Sequence, residues 1–334
     1  MAGSSTAVVL AGAVANGAFE AGALEVVAAR GFSITRVLGT SAGALNAAFF
    51  TRYLLAGEST EGAAAMVKLW REDATFWHVF SPSLKGIFTL EGLSTESALL
   101  ALLRRHIPPV PAPAREVQLR IVVTSLRGEV GDIGGEPATT HEAVCRFGGA
   151  DFIAAAPLER VLRAAVASSA FPGGFLPAEV PGLGPCSDGG IVNNTPIKHA
   201  LADDVRRVVV IVPAPLLSAG DVPATAQALV GRIADVIVQE RLFRDLREAE
   251  LCNRRLAAID ELARRRGDPA LADEVKSAVG LGNARRLEIV QIRPREVLPN
   301  PFAGFFDRGV RERLVDLGRA AAEAALGGAG AAAA

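Results

Sequence analysis

Two short segments of this chain could do covalent chemistry together: Gly39-Thr40-Ser41-Ala42-Gly43 and Ser187-Asp188-Gly189-Gly190. The first is a G-x-S-x-G sequence, in which a serine sits in a strained strand-to-helix turn and small neighbours let the two backbones pass closely. Its hydroxyl then projects into the open near a helix N-terminus, where negative charge is favoured. Such a hydroxyl is a weak nucleophile and needs a base within hydrogen-bond reach. The four histidines, His78, His106, His141 and His199, show no spacing typical of a triad, although His199 follows the acidic segment and stays open as a partner. Asp188 precedes two glycines that let another backbone approach it, as a direct Asp-Ser contact requires; the same residues also suit an ordinary Asp-Gly turn.

The elements needed to position these residues can be read nearby. Ala7 to Leu10 is a short apolar run ending in the loop 11–17, and Ala18 to Arg30 has helical composition. Arg36 to Leu38 leads into the serine segment, and Ala44 to Leu55 is apolar without a breaker. Two strand-turn-helix units in succession predict parallel pairing with helical crossovers, hence an α/β layered sheet. Gly62 to His106 reads as mostly helical, with an aromatic stretch (Trp70, Phe76, Trp77, Phe80, Phe88) suited to a cap beside the site or to core packing. The proline-rich 107–113 is a connector. Strands are expected at Val117 to Ser125, Gly128 to Ile133 and Ala138 to Phe147, and a helix at Pro157 to Ala167. The β-branched run Val208 to Val212 suits a strand buried on both faces. A long charged helical region (221–266), a late strand at Leu287 to Ile292 and a last helix over 309–326 complete the reading. The whole is taken as one domain over 1–326, with core motifs in 7–212, a helical and C-terminal extension in 213–326, and a disordered tail at 327–334.

Composition narrows the functions. The chain is 50% hydrophobic over 334 residues, enough for a large core, yet no stretch of about 18 uncharged apolar residues reads as a membrane span. The first residues lack a basic n-region, so no signal peptide is expected and the reading is cytoplasmic. Net charge is −1, from 35 basic and 36 acidic residues, leaving no field to attract nucleic acid. Cys145, Cys186 and Cys252 are widely spaced and odd in number, which argues against disulfides or a zinc site.

Taken together, the segments resemble the patatin-like phospholipase family. The family's elbow is matched by Gly39-Thr40-Ser41-Ala42-Gly43, its D-G-G segment by Asp188-Gly189-Gly190 with Asn193-Asn194 after it, and its block upstream of D-G-G by Ala167-Ser168-Ser169-Ala170-Phe171-Pro172 with Phe175 and Pro177. The resemblance covers roughly Ala7 to Val212. It implies a three-layer α/β/α sandwich with a mainly parallel central sheet, and a Ser41-Asp188 dyad without histidine, acting on fatty acyl esters of phospholipids or related lipids through an acyl-enzyme. No metal or cofactor is implied, and the substrate is met at a transiently bound membrane surface. The backbone at Gly12, Ala13, Val14 and Ala42 would form the oxyanion hole, with Gly17, Gly39, Gly43, Gly189 and Gly190 as motif glycines.

The chain departs from the family's G-G-G-x-[KR]-G loop, having Gly12-Ala13-Val14-Ala15-Asn16-Gly17. Backbone donors survive these replacements. A β-branched residue at positive φ is an outlier, so the loop must hold Val14 at negative φ or carry strain of about 1 to 3 kcal/mol. Alternatives are a small-ester esterase or acyltransferase with the same dyad, a triad completed by His199, and a catalytically silent lipid-binding or regulatory protein. Asn193 and Asn194 are read as structural. Phe302, Phe305 and Phe306 suit core packing, an acyl-chain wall or an interfacial patch.

Overall fold

The computed structural model describes residues 5–80, 97–133, 136–172, 174–201, 205–214, 226–282, 284–300 and 302–329. Phe88 falls outside them. Five strands form a parallel core in the order β3 (Gln118–Ile133), β2 (Ser33–Thr40), β1 (Ser5–Leu10), β7 (Arg207–Ile211) and β8 (Glu288–Ile292). Three antiparallel strands extend one edge: β4 (Glu136–Phe147) and β6 (Gly184–Ser187) both pair with β3, and β5 (Ala178–Val180) pairs with β6.

Alternation along the strands sets the layers, because successive side chains point to opposite faces. On β1, Val8 and Leu10 face one apolar cluster while Ala7 and Val9 face another; on β7, Val209 and Ile211 face the first and Val208 and Val210 the second. The first, larger cluster is covered by α1 (Gly17–Ala29), α2 (Ala42–Ala56), α3 (Ser59–Glu72) and α6 (Ala155–Ser168), together with α12 (Arg308–Ala329). The second face carries α8 (Ile197–Leu201) and the long α9 (Ala226–Arg266). The molecule is therefore the expected α/β/α arrangement. Short helices α4 (Phe76–Val79), α5 (Ser97–His106), α7 (Gly190–Asn193), α10 (Pro269–Ala278) and α11 (Ala303–Phe306) complete it.

Several expectations need correction. The segments around Val117 to Ser125 and Gly128 to Ile133 form one strand, β3, with a register irregularity between Thr124 and Glu129. Its hairpin partner is β4. Helix α12 runs to Ala329, three residues into the stretch read as a disordered tail. Among the described residues no helix is long and apolar enough to cross a membrane.

Candidate active site

Ser41 occupies the junction of β2 and α2 with φ 54° and ψ −129°, a backbone conformation that costs a non-glycine residue roughly 1–3 kcal/mol. The turn is tight enough to require its glycines. A Cβ on Gly39 would lie 2.3 Å from the Gly43 carbonyl oxygen, and one on Gly43 would lie 2.5 Å from that of Leu10. Two serines from the end of α6 hold the elbow in place. Ser168 Oγ accepts the Ser41 N–H at 2.9 Å and donates to the Val122 carbonyl, while Ser169 Oγ donates to the Ser41 carbonyl at 2.9 Å. They stand in the Ala167–Pro172 block, which carries the resemblance without revealing this bracing role.

Asp188 follows β6 and reaches the elbow directly: the Ser41 hydroxyl donates to Asp188 Oδ2 at 2.7 Å. The Gly190 N–H donates to Oδ1 at 2.6 Å, and the Thr124 hydroxyl donates to the Asp188 main-chain carbonyl. Gly189 must lack a side chain, since a Cβ would meet the Val122 carbonyl at 2.1 Å. Burial pushes the Asp188 carboxyl up to about 6 against the two hydrogen bonds that favour its charged form. His199 is engaged elsewhere, with its Nε2 2.8 Å from Glu142 Oε1. His141 Nδ1 pairs with the Ser125 carbonyl, and His78 and His106 pair at Asp73. Ser41 therefore has a carboxylate, and no imidazole, as its hydroxyl partner.

The loop 11–17 lies beside the elbow. A reciprocal clamp ties it down: the Gly12 N–H donates to the Asn194 carbonyl at 2.9 Å and Asn194 Nδ2 donates to the Gly12 carbonyl. Gly12 thus departs from the expected donor set, because its N–H is already committed. Asn193 is structural too, accepting the Thr40 hydroxyl on its carbonyl and donating to Glu142. Val14 takes φ 51°, so of the two ways open to this loop it adopts the strained one. The Ala42 N–H opens α2 and has no intrahelical acceptor.

Residues 8–201, more than half of the chain, match the family described as patatin-like phospholipase. The chain belongs to that family. Membership implies lipid acyl hydrolysis as the class of activity. No match was found among curated proteins. Among solved structures the chain is similar to VipD from Legionella pneumophila, at 13% identity with a TM-score of 0.34, covering 94% of this chain and 67% of that one. It is also similar to the type III effector protein ExoU, at 14% identity with a TM-score of 0.31, covering 97% of this chain and 53% of that one.

In this patatin-like chain Ser41 lines a small, largely apolar cavity of about 40 Å³. Ser41, Ser169, Ala42 and Val14 line part of it. Leu45, Trp70, Val79, Phe80, Leu99, Phe171, Phe175 and Phe305 supply most of the rest. The aromatic residues come from three separate stretches of sequence and meet ring to ring: Phe80 lies 5.1 Å from Phe175 and 5.3 Å from Phe305. The volume falls far short of the roughly 300 Å³ at which ligand pockets begin. Phe76 links them to the surface by stacking on both Phe80 and Phe306, and there Trp77 and Phe306 are 74% and 70% exposed.

A buried polar network that sequence reasoning missed supports the Trp70 wall. Trp70 Nε1 donates to Asn46 Oδ1, and Asn46 Nδ2 donates to Glu20 Oε2 and to the Gly17 carbonyl. Glu20 is fully buried, and burial holds its carboxyl well above the usual carboxylate range. Nothing local marks these three residues as partners, since they lie on three different helices.

Proposed function

We propose that the protein hydrolyses fatty acyl esters of phospholipids or related lipids through an acyl-enzyme, with Ser41 as nucleophile and Asp188 as base. The observation that carries this reading is the 2.7 Å hydrogen bond from a strained, helix-initiating serine to a buried carboxylate that has no ion pair among the described residues. An Asp in water, near pKa 3.9, is a feeble base; one pushed up to about 6 is better matched to neutral pH.

In the first half-reaction Ser41 Oγ bonds to the acyl carbonyl carbon while its proton passes to Asp188 Oδ2. The negative charge on the carbonyl oxygen is received by the Ala42 N–H at the start of α2 and by the Ala13 and Val14 N–H groups of the clamped loop. The carbon–oxygen bond to the alcohol then breaks, and Asp188 returns the proton to the leaving oxygen. In the second half-reaction water adds with the same proton path and frees the fatty acid. Each donor of this kind contributes about 2.7–4 kcal/mol to lowering the barrier.

The exposed Trp77 and Phe306, continuous with the rings over Ser41, support transient contact with a membrane surface from the aqueous side. One observation favours a second reading, a small-ester esterase with the same dyad: the 40 Å³ cavity suits short acyl groups without rearrangement.

The direct test is fatty acid release from phosphatidylcholine vesicles by wild type and Ser41→Ala, with p-nitrophenyl butyrate in parallel. Release from vesicles that depends on Ser41 supports the lipid reading. Turnover of butyrate alone supports the esterase, and turnover of either by folded Ser41→Ala refutes both.

A further inference from the structure

Within the described residues two non-glycine backbones have positive φ: Ser41, the nucleophile, and Val14. The strain at Ser41 has a structural reason, since the elbow presents its hydroxyl to Asp188. Val14 has no such reason in its backbone alone, because a glycine would meet the same φ without strain and would carry the same N–H. What distinguishes valine from glycine here is the isopropyl group. Val14 packs against the main apolar cluster and lines the same cavity as Ser41.

We propose that Val14 is a specificity-determining residue, a wall at the nucleophile that rejects acyl groups branched beside the scissile carbonyl. The proposal rests on the acyl-hydrolase reading above and adds to it a rule for which acyl groups are accepted.

Three features fix the wall in place. The loop is clamped at Gly12 through both hydrogen bonds with Asn194. A short 3₁₀ turn, Val14–Asn16, leads straight into α1, and the Asn16 N–H closes it on the Ala13 carbonyl at 2.9 Å. Gly304 of α11 packs behind Ala15, where an added Cβ would lie 3.2 Å from the Ala15 Cβ. Val14 therefore cannot swing aside without unmaking the turn that positions it. Leu45 and Trp70 also line the cavity, and Trp70 is held by its hydrogen bond to Asn46.

A carbonyl carbon bonded to Ser41 Oγ places its α-carbon in this cavity, which Val14 also lines. A straight chain has two hydrogens there and can run toward the aromatic lining; a quaternary α-carbon carries two more methyl groups that compete with the Val14 methyls. One methylene in a tight apolar pocket is worth roughly 10–200-fold in discrimination.

The experiment compares kcat/KM for p-nitrophenyl butyrate and p-nitrophenyl 2,2-dimethylpropanoate in wild type, Val14→Ala and Val14→Gly of the full chain. The two esters share a leaving group, so the ratio isolates the acyl side and cancels any general loss of rate caused by loosening the loop. The expected result is a wild-type preference for butyrate that falls at least about tenfold in Val14→Gly and partway in Val14→Ala. Melting curves run alongside: Val14→Gly, relieved of its positive-φ strain, should melt at or above the temperature of Val14→Ala. A butyrate preference unchanged within about threefold in both variants would overturn the proposal, as would loss of all ester turnover in folded Val14→Ala, because a wall can be trimmed without removing the chemistry. If wild type itself turns over neither ester and Ser41 takes up no fluorophosphonate, the hydrolase reading has failed and this inference falls with it.

Discussion

Two carboxylates, buried Asp188 after β6 and partly buried Glu142 on β4, have been driven in opposite directions. Asp188 is held by a neutral hydroxyl and one backbone N–H, and burial pushes it up to about 6. Glu142, on β4, opposes its own burial with hydrogen bonds from His199, Lys198 and Asn193 and with a further contact from Arg241, which bring it down to about 2. A carboxylate surrounded by cations is a good structural anchor and a poor base; one denied cations keeps its affinity for a proton. The contrast also accounts for His199, whose imidazole is bonded to Glu142 while the Ser41 hydroxyl is bonded to Asp188.

The largest effect expected from breaking this contrast is on turnover. Ser41→Ala and Asp188→Asn should each lower ester hydrolysis by at least about a hundredfold with the fold intact, and the double variant should be little slower than either, because the pair acts as a unit. Additive losses in a side-by-side kinetic comparison would show that the two residues do not work together.

The pH profile comes next in size. Asp188 must be deprotonated to act as base, so kcat/KM for a soluble ester should rise about tenfold per pH unit below about 6 and level off above it. A profile flat from pH 5 to 8 would remove Asp188 from that role.

Stability should sharpen the contrast by moving in opposite directions. The raised Asp188 stabilises the fold most at low pH, and that contribution is lost as pH rises through about 6; the lowered Glu142 stabilises above its ordinary value of 4.5, and that contribution is lost as pH falls toward 2. Asp188→Asn should therefore raise stability at pH 8 by about 1–3 kcal/mol. Glu142→Gln should lower it by about 1–2 kcal/mol, discounted because Lys198 and Arg241 are partly exposed. Urea melts at pH 8 check both signs, and a destabilised Asp188→Asn would contradict the account.

The smallest effect expected is on turnover in His199→Ala, which should stay within about threefold of wild type because the imidazole is not the base. A loss approaching that of Asp188→Asn would revive a triad.

How much of this was legible beforehand depended on how local each signal was. The β1 run Ala7 to Leu10, the elbow around Ser41 and the β7 run Val208 to Val212 each carry their fold signal within a few residues, so the layered sheet and the strand-to-helix turn at Ser41 could be read directly. Strands β5 and β6 could not, being three and four residues long and stabilised by pairing at an antiparallel edge. The loop at Gly12 to Gly17 was readable as a choice between negative φ and strain at Val14, and the clamp through Asn194, nearly two hundred residues away, belongs to the branch taken. Phe80, Phe171 and Phe305 were visible as apolar residues in separate stretches; nothing in any one stretch says that they meet over Ser41. The Glu142 cluster was hidden for the same reason, since its four partners come from α7, α8 and α9.

The central claim is that Ser41 is a nucleophile activated by Asp188. Its most direct test is the rate of covalent labelling by a fluorophosphonate, followed by intact and peptide mass spectrometry in wild type, Asp188→Asn and His199→Ala. The expected result is a single adduct on Ser41, forming at least about a hundredfold more slowly in Asp188→Asn and at a near wild-type rate in His199→Ala. An adduct on any other residue, or a wild-type labelling rate in folded Asp188→Asn, would contradict it.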